Sequence, residues 1–544
     1  MTTKYYLKQN IQVEPLIDYW YAWSHLIPPA TLARNITDRH LKIMNSYISA
    51  PQVHANAIKN PKLQGGPFID YDGGRVEEIR ALRDQIKSSR AHLLALSSAL
   101  YALDKLLQEN GKGFSLQPVY SKVPDLLKGY VELVYDLNNH ASYRLLESLL
   151  YRSPYYDRSQ QSLMLSRVSQ DHRPFVLSTP RLPSQDSLHL KKPYDHPSID
   201  DLFRLKTAPR PWTDIKDLLE IPDSADELML SFLTPAPSTQ YPSYTGSGVR
   251  WRYFGHACIL IESQGVSMLF DPVLSYTYEN NVSRYTYLDL PESIDYVLIT
   301  HNHQDHVLFE TLLQIRHKVK NIVVPRNGGG HIQDPSLKLL LENVGFTNVI
   351  EVEEMREIRE SGVQITALPF FGEHADLDIQ TKMAWLIRIG QHSLMFVADS
   401  CNIEPRLYEH IHREVGDIDA LFLGMECDGA PLSWLYGPLL SYPLDRTMDH
   451  SRRLAGSNAE QGLHIVNCFN CSEVYVYAMG QEPWLNYISS IKYTEQSRPI
   501  VESNRLIDIC RQNGVLAERL FGEKEILLES APKKASSIAN TLAS

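Results

Sequence analysis

The chain has 544 residues, 43% of them hydrophobic and 22% charged, with a mean hydropathy of −0.27. That length calls for two or three domains, because a single core rarely grows past roughly 250 to 300 residues. Asp+Glu outnumber Lys+Arg by 64 to 53, and the net charge of −11 argues against a partner held by a basic field, so neither nucleic acid nor an anionic membrane is expected.

The opening MTTKYYLKQNIQVEP lacks the apolar core of a secretory signal, and no stretch approaches roughly 18 uninterrupted apolar residues. A soluble cytoplasmic protein is expected. The first 230 residues carry three long helical patterns, at about 14–48, 76–110 and 123–152, with little strand signal between them. The clearest, Val76 to Asn110, spaces apolar side chains by three and four with charges opposite. Residues 154–212 are irregular and rich in Pro, Ser and Tyr, with short extended runs such as RPFVLSTPRL. These features predict a mainly helical α+β domain over 1–235, suited to dimerisation or docking rather than chemistry.

A composition break follows at LTPAPSTQYPSYTGSG, and residues 236–248 read as a linker. Beyond it short apolar strands alternate with turns, among them WRYFGHACILIES, VSMLFDP, YVLITH, KNIVVP, VQITALPFF, HSLMFVADS and DALFLGMECDG. Near-continuous apolar runs suit sheets covered by helices, so 249–525 reads as an α/β domain. The last residues, 526–544, read as a polar tail that frays. The six cysteines, at 258, 401, 427, 468, 471 and 510, are too scattered for a disulfide framework. Cys468 and Cys471 lack the second CxxC pair of a zinc ribbon, so ordinary buried thiols are expected.

The chemistry is concentrated in Tyr296 to His306, YVLITHNHQDH. An apolar strand ends and at once presents His301, His303, Asp305 and His306. Two histidines at i and i+2 lie on one side of an extended chain and can grip one metal, while Asp305 and His306, after the chain turns, can reach a second. Buried imidazoles without partners are costly, which disfavours a merely structural cluster. Glu426, in LFLGMECDG, stands at another strand end, on the edge where α/β sheets carry their ligands. For a third donor after VQITALPFF, Glu373 and His374 are equally placed. His450 and His464 are candidates for a last ligand, the second more in keeping with a core position. Asn327-Gly328-Gly329-Gly330 looks like a phosphate loop but lacks the following Lys-Ser/Thr, and reads as a plain turn. No G-x-S-x-G elbow marks a serine hydrolase. Trp434, Tyr436 and Leu439 form an aromatic loop that could wall an apolar pocket.

The HxHxDH run, the upstream Gly255-His256 and Asp271-Pro272, and Asp399 together resemble the αββα metallo-β-lactamase fold, over roughly residues 249–470. Within it, the chain is similar along its whole length to the diiron amino acid β-hydroxylases of antibiotic biosynthesis, such as that of the chloramphenicol pathway. This resemblance implies Glu373 as the third ligand in place of a histidine, with Asp399 bridging two metals. The metal set is then His301, His303, Asp305, His306, Glu373 and Asp399, and Glu373, Asp399 and Glu426 take the catalytic roles. Three imidazoles and three carboxylates without a thiolate suit iron, although affinity order alone does not select it over zinc. The resemblance further implies two Fe ions, O2 as co-substrate, an electron-donor reductase, and an amino acid held as a thioester on a nonribosomal peptide synthetase carrier domain. The alternative from another reaction class is a dinuclear zinc hydrolase, a lactonase or phosphodiesterase.

Overall fold

A computed structural model describes residues 3–529. The expected polar tail lies outside the described residues from 530 on, and its proposed start at 526 is overtaken by a strand, Lys524–Leu528. That strand pairs antiparallel with Val249–Gly255, so the α/β domain closes its own sheet edge with the segment read as tail.

Two seven-stranded mixed sheets form the centre. In the first, the order is Val349–Val352, Val319–Pro325, Ile294–Leu298, Val266–Phe270, Cys258–Ser263, Val249–Gly255 and Lys524–Leu528. In the second it is Glu357–Glu360, Val363–Leu368, Ala384–Ile389, His392–Phe396, Ala420–Gly424, Glu473–Tyr477 and Leu516–Arg519. Period-2 alternation sends Trp251, Met268, Phe270 and Leu298 from one sheet, and Trp385, Ile387, Phe396 and Phe422 from the other, into a shared dry layer. Phe270, Phe396 and Phe422 stack at ring separations of 4.2 and 4.4 Å. Helices Arg406–Val415, Ala459–Cys468 and Arg498–Gln512 cover the outer face of the second sheet. This is the αββα sandwich that the strand pattern and the resemblance imply.

The N-terminal region mixes helices and strands as expected of an α+β domain, but its three helical segments differ in detail from their expectation. The segment 14–48 begins in a strand, Ile11–Ile17, buried along its whole length and paired with Gln161–Arg167; after a 3-10 turn at Ser24–Leu26, α-helix starts at Pro29. The strand's alternation, with Ile11 and Val13 in the core and Gln12 and Glu14 in polar contacts, lasts only four residues before Pro15, too short to outweigh the longer helical pattern that follows, and pairing with a distant strand decides. The segment 76–110 forms two helices, Val76–Ser89 and Ala91–Asn110, broken at Arg90, whose guanidinium is held by Asp18 at 2.8 Å. The segment 123–152 is mainly a hairpin, Val131–Tyr135 with Ala141–Leu145. Its turn is fixed by the Asp136 carboxylate, which accepts the N–H groups of Asn138 and His140, and by Asn139 in the left-handed region.

This region packs on the outer face of the first sheet through one continuous core. Leu7, Trp20, Leu32, Leu96 and Leu202 join Leu260, Leu269, Val297, Leu312 and Leu340 in it. A buried charged knot pins the seam. Glu310 accepts hydrogen bonds from the hydroxyls of Tyr21, Tyr276 and Tyr487 at 2.8, 2.6 and 3.3 Å. Arg173 donates to Glu310 and Glu14, and Arg181 to Glu14. The glycine loop after Val319–Pro325 serves the same seam, since Gly330, at φ 101°, receives Leu145 N–H on its carbonyl at 2.8 Å. A Cβ there would sit 2.3 Å from Leu145 O, so this glycine is needed for close approach of the hairpin. Among the described residues all six cysteines are free thiols, and no helix is long and apolar enough to cross a membrane.

Candidate metal centre

The site lies where both sheets end. Ile294–Leu298 runs into a loop carrying Thr300 to His306; Val363–Leu368 leads to Glu373, and His392–Phe396 to Asp399. His301, His303, His306, Glu373, His374 and Asp399 are all buried. Several residues of the site take the left-handed backbone that side chains rarely adopt: His256 at φ 52°, Asp271 at 35°, Glu373 at 67° and Ala398 at 44°. Such strain persists only where surrounding structure enforces it, and here it is gathered at one edge.

Three donor groups converge, each with its atoms within 4.8 Å of one another: His301, His303 and Glu373; His256, Asp305 and His306; and His301, His306 and Asp399. His303 Nδ1 stands 2.7 Å and His301 Nε2 3.5 Å from the Glu373 carboxylate. Asp399 lies between the groups, 3.8 Å from His301 Nε2 and 3.2 Å from His306 Nε2. His256 Nε2 approaches Asp305 at 3.3 Å. The sequence motif did not include His256 as a donor; the signal available was its position at the hairpin turn between Val249–Gly255 and Cys258–Ser263. Asp271 is a second addition. It accepts from Thr300 Oγ1 at 2.6 Å and faces His306 Nδ1 at 2.8 Å, which orients that imidazole and fixes which nitrogen points at Asp399.

The electrostatics belong to a site short of positive charge. Burial pushes the Glu373 carboxyl up to about 7 against the pull of His303. Burial, and then Asp399 and Asp428, push Glu426 up to about 8. Burial and then neighbouring imidazoles hold His301 well below the ordinary histidine range. Burial opposes the charging of His306, but Asp271 and Asp399 raise it well above that range. His256 Nε2, His301 Nε2, Glu373 Oε2 and Asp399 Oδ1 are buried atoms with no hydrogen-bond partner among the described residues. Orphaned buried donors and acceptors each cost about 1–3 kcal/mol. A pair of cations among them removes that cost, and a nitrogen and carboxylate-oxygen set without thiolate fits iron.

The remaining candidates fall outside the convergent groups. His374 packs its ring 4.6 Å from that of His303 and turns Nδ1 toward Gly372 O at 3.3 Å. Glu426 is half-buried beside Asp399, with Oε2 unpartnered. His450 is exposed on helix Arg446–Ser451. His464 is half-buried on helix Ala459–Cys468, near Asn402 and Glu409, and so lies neither in the core nor among the donors. Tyr436, in contrast, touches the centre: its hydroxyl is 2.9 Å from His303 Nε2. Trp434 of the same helix, Leu432–Tyr436, lines a cleft of about 650 Å³ with Phe68, Phe175 and Leu177.

A family model described as the diiron non-heme β-hydroxylase N-terminal domain matches residues 6–237, and one for a β-lactamase superfamily domain matches residues 267–430. The chain is 41% identical over 532 residues to the 4-amino-L-phenylalanyl-(CmlP-peptidyl-carrier-protein) 3-hydroxylase of Streptomyces venezuelae, covering 96% of this chain and 100% of that protein. It is 31% identical to a UPF0173 protein of Pyrococcus abyssi over 148 residues, 27% of this chain and 59% of the relative. The crystal structure of CmlA, a diiron β-hydroxylase from Streptomyces venezuelae, superposes with a TM-score of 0.91 at 40% identity, covering 97% of this chain and 100% of that one. Likeness of this degree from end to end, over the helical and strand-rich halves alike, places the chain in the family of diiron non-haem β-hydroxylases.

Proposed function

We propose that this protein is a monooxygenase that hydroxylates the β-carbon of an amino acid held as a thioester on a nonribosomal peptide synthetase carrier domain. The observation that carries the reading is the glutamate-bearing donor set: Glu373, with His301 and His303, completes a nitrogen and carboxylate cluster in a chain like the carrier-dependent hydroxylase along its whole length. Two irons are assigned to the family; His301, His303 and Glu373 would hold one and Asp305 and His306 the other, with Asp399 between them. Bound there, they supply the O2 activation that inserts one oxygen atom into a C–H bond no side chain can deprotonate, with two electrons and two protons reducing the other atom to water.

The chain's own residues do the rest. Glu373, Asp305 and Asp399 balance the cluster's charge. Asp271 and Thr300 hold the His306 ring in register, and the buried walls keep water from competing with the substrate. Glu426, beside Asp399 and pushed toward the protonated form, stands where it can hold a proton at the edge of the cluster. Residues 1–235 serve carrier docking or dimerisation, joined by 236–248 to a metal domain that runs from 249 through the strand Lys524–Leu528, and electrons come from a reductase in the cytoplasm.

Anaerobically purified protein, enriched in iron, tests this by metal analysis and Mössbauer spectroscopy, followed by product mass. About two irons per chain and a gain of one oxygen atom on the carrier-bound amino acid are expected, with the free amino acid a poor substrate because it lacks the carrier's positioning contacts. Stoichiometric zinc with full activity, and none on iron loading, would transfer the chain to the dinuclear zinc hydrolases.

A further inference from the structure

One tyrosine of the metal domain, Tyr436, stands between the N-terminal region and the metal site. Tyr436 is buried, and its hydroxyl is the hydrogen-bond partner of His303 Nε2, at 2.9 Å, while His303 Nδ1 points at Glu373. With Nδ1 as the donor toward the metal, Nε2 must carry the proton and donate it to the Tyr436 oxygen. The hydroxyl thus fixes both tautomer and ring orientation.

The turn that bears Tyr436 is not held by its own domain alone. Arg39, in the π-helical turn Ile36–His40, donates Nη2 to Trp434 O and Leu435 O at 3.0 and 2.8 Å. Arg34, one turn earlier, donates to Pro438 O and Leu440 O at 3.0 and 2.7 Å. The last carbonyls of a short helix and the loop after it, otherwise left without donors, are therefore satisfied by two guanidiniums from the other region. His25 sets its ring 5.8 Å from that of Tyr436, and Ser24 Oγ donates to Asn302 O, inside the metal loop, at 3.2 Å.

We propose that Tyr436 is a positioning residue for His303, held in place by Arg39 and Arg34, so that the metal centre is complete only with the N-terminal region docked. This rests on His303 being a metal ligand. The test uses the full-length, iron-loaded chain and two readouts besides activity: the rate of iron loss to a ferrous chelator, and the Mössbauer spectrum. Tyr436→Phe is expected to lose one iron about 10–100-fold faster, the range found when a residue supporting a ligand is removed, and to change the quadrupole splitting of one site and not the other. Arg39→Leu is expected to act on the same site in the same direction with Tyr436 intact. Wild-type release and spectrum in Tyr436→Phe overturn the proposal, even if its thermal midpoint falls, because a purely structural tyrosine moves only the midpoint. A wild-type result in Arg39→Leu overturns the clamp. His303→Ala separates the two levels: two irons retained there would defeat the ligand assignment itself, whereas loss of iron there beside an unchanged Tyr436→Phe defeats only the positioning role.

Discussion

Replacing Glu373 by glutamine is expected to strengthen the metal-free protein while it weakens the metal-loaded one. In the metal-free state, burial pushes this carboxyl from an ordinary 4.5 up to about 7. A carboxyl raised on folding favours the folded state fully only below its unfolded value, and that contribution is lost as pH rises from 4.5 through 7. At about 1.4 kcal/mol per pKa unit, the ionised side chain at pH 8 costs the fold at most about 3 kcal/mol relative to pH 4. Glutamine keeps the shape and removes the charge, so chelator-treated Glu373→Gln should resist urea better than wild type at pH 8 by up to that amount, and about equally at pH 4. Iron reverses the order: the neutral amide is a poor donor, and the variant should retain less than two irons per chain and lose the stabilisation that binding confers. Urea midpoints at both pH values, with and without iron, give the full comparison. A glutamine variant no more stable than wild type when metal-free at pH 8, and holding iron as well, would refute the account of Glu373 as a charge kept buried for a cation.

Three further outcomes follow from the same geometry. His374→Ala should keep two irons and much of the activity, because His374 belongs to none of the convergent donor groups; loss of metal in that variant with Glu373→Ala nearly silent would make the histidine the third ligand. Asp271→Asn removes the anion facing His306 Nδ1, and iron affinity measured by chelator competition should fall about 10–100-fold with the fold intact. Arg173→Leu leaves Glu310 and Glu14 buried without their shared cation, and denaturant unfolding should show a loss of about 3–5 kcal/mol.

The metal loop could be read from the sequence because its ligands are contiguous: alternation within one extended segment places His301 and His303 together, and no distant partner is needed to recognise them. Asp399 is legible through the family resemblance, which makes it the residue between the metals, whereas Glu426 rests on a weaker rule, that strand ends in α/β sheets collect ligands, which brings it to the site's edge but not among the convergent donors. The motifs behind the resemblance bring His256 and Asp271 to the metal-bearing edge, but which groups they and Tyr436 meet is decided by contacts across 35 to 133 positions of chain, which no local pattern encodes. The N-terminal strands failed for a related reason. Ile11–Ile17 is a strand because Gln161–Arg167 lies beside it, and the hairpin at 131–145 depends on an Asp136 turn whose carboxylate geometry a periodicity count does not see. His464 shows the converse error, an apolar-looking stretch whose helix turns that residue half outward.

The buried knot at the seam has a consequence for how the chain is made. Glu14, Arg173 and Arg181 leave the ribosome well before Glu310, by a delay on the order of ten seconds at roughly 5–20 residues per second. During that interval two guanidiniums wait on a single carboxylate, and the N-terminal side of the shared core, which Leu260, Leu269 and Val297 of the first sheet later complete, stands open to water. The nascent N-terminal region therefore carries exposed apolar surface until the strand-rich half arrives to cover it. Production of the two halves from separate messages exposes both faces at once, and co-expression rather than mixing of purified halves is the arrangement under which they can find each other before they aggregate.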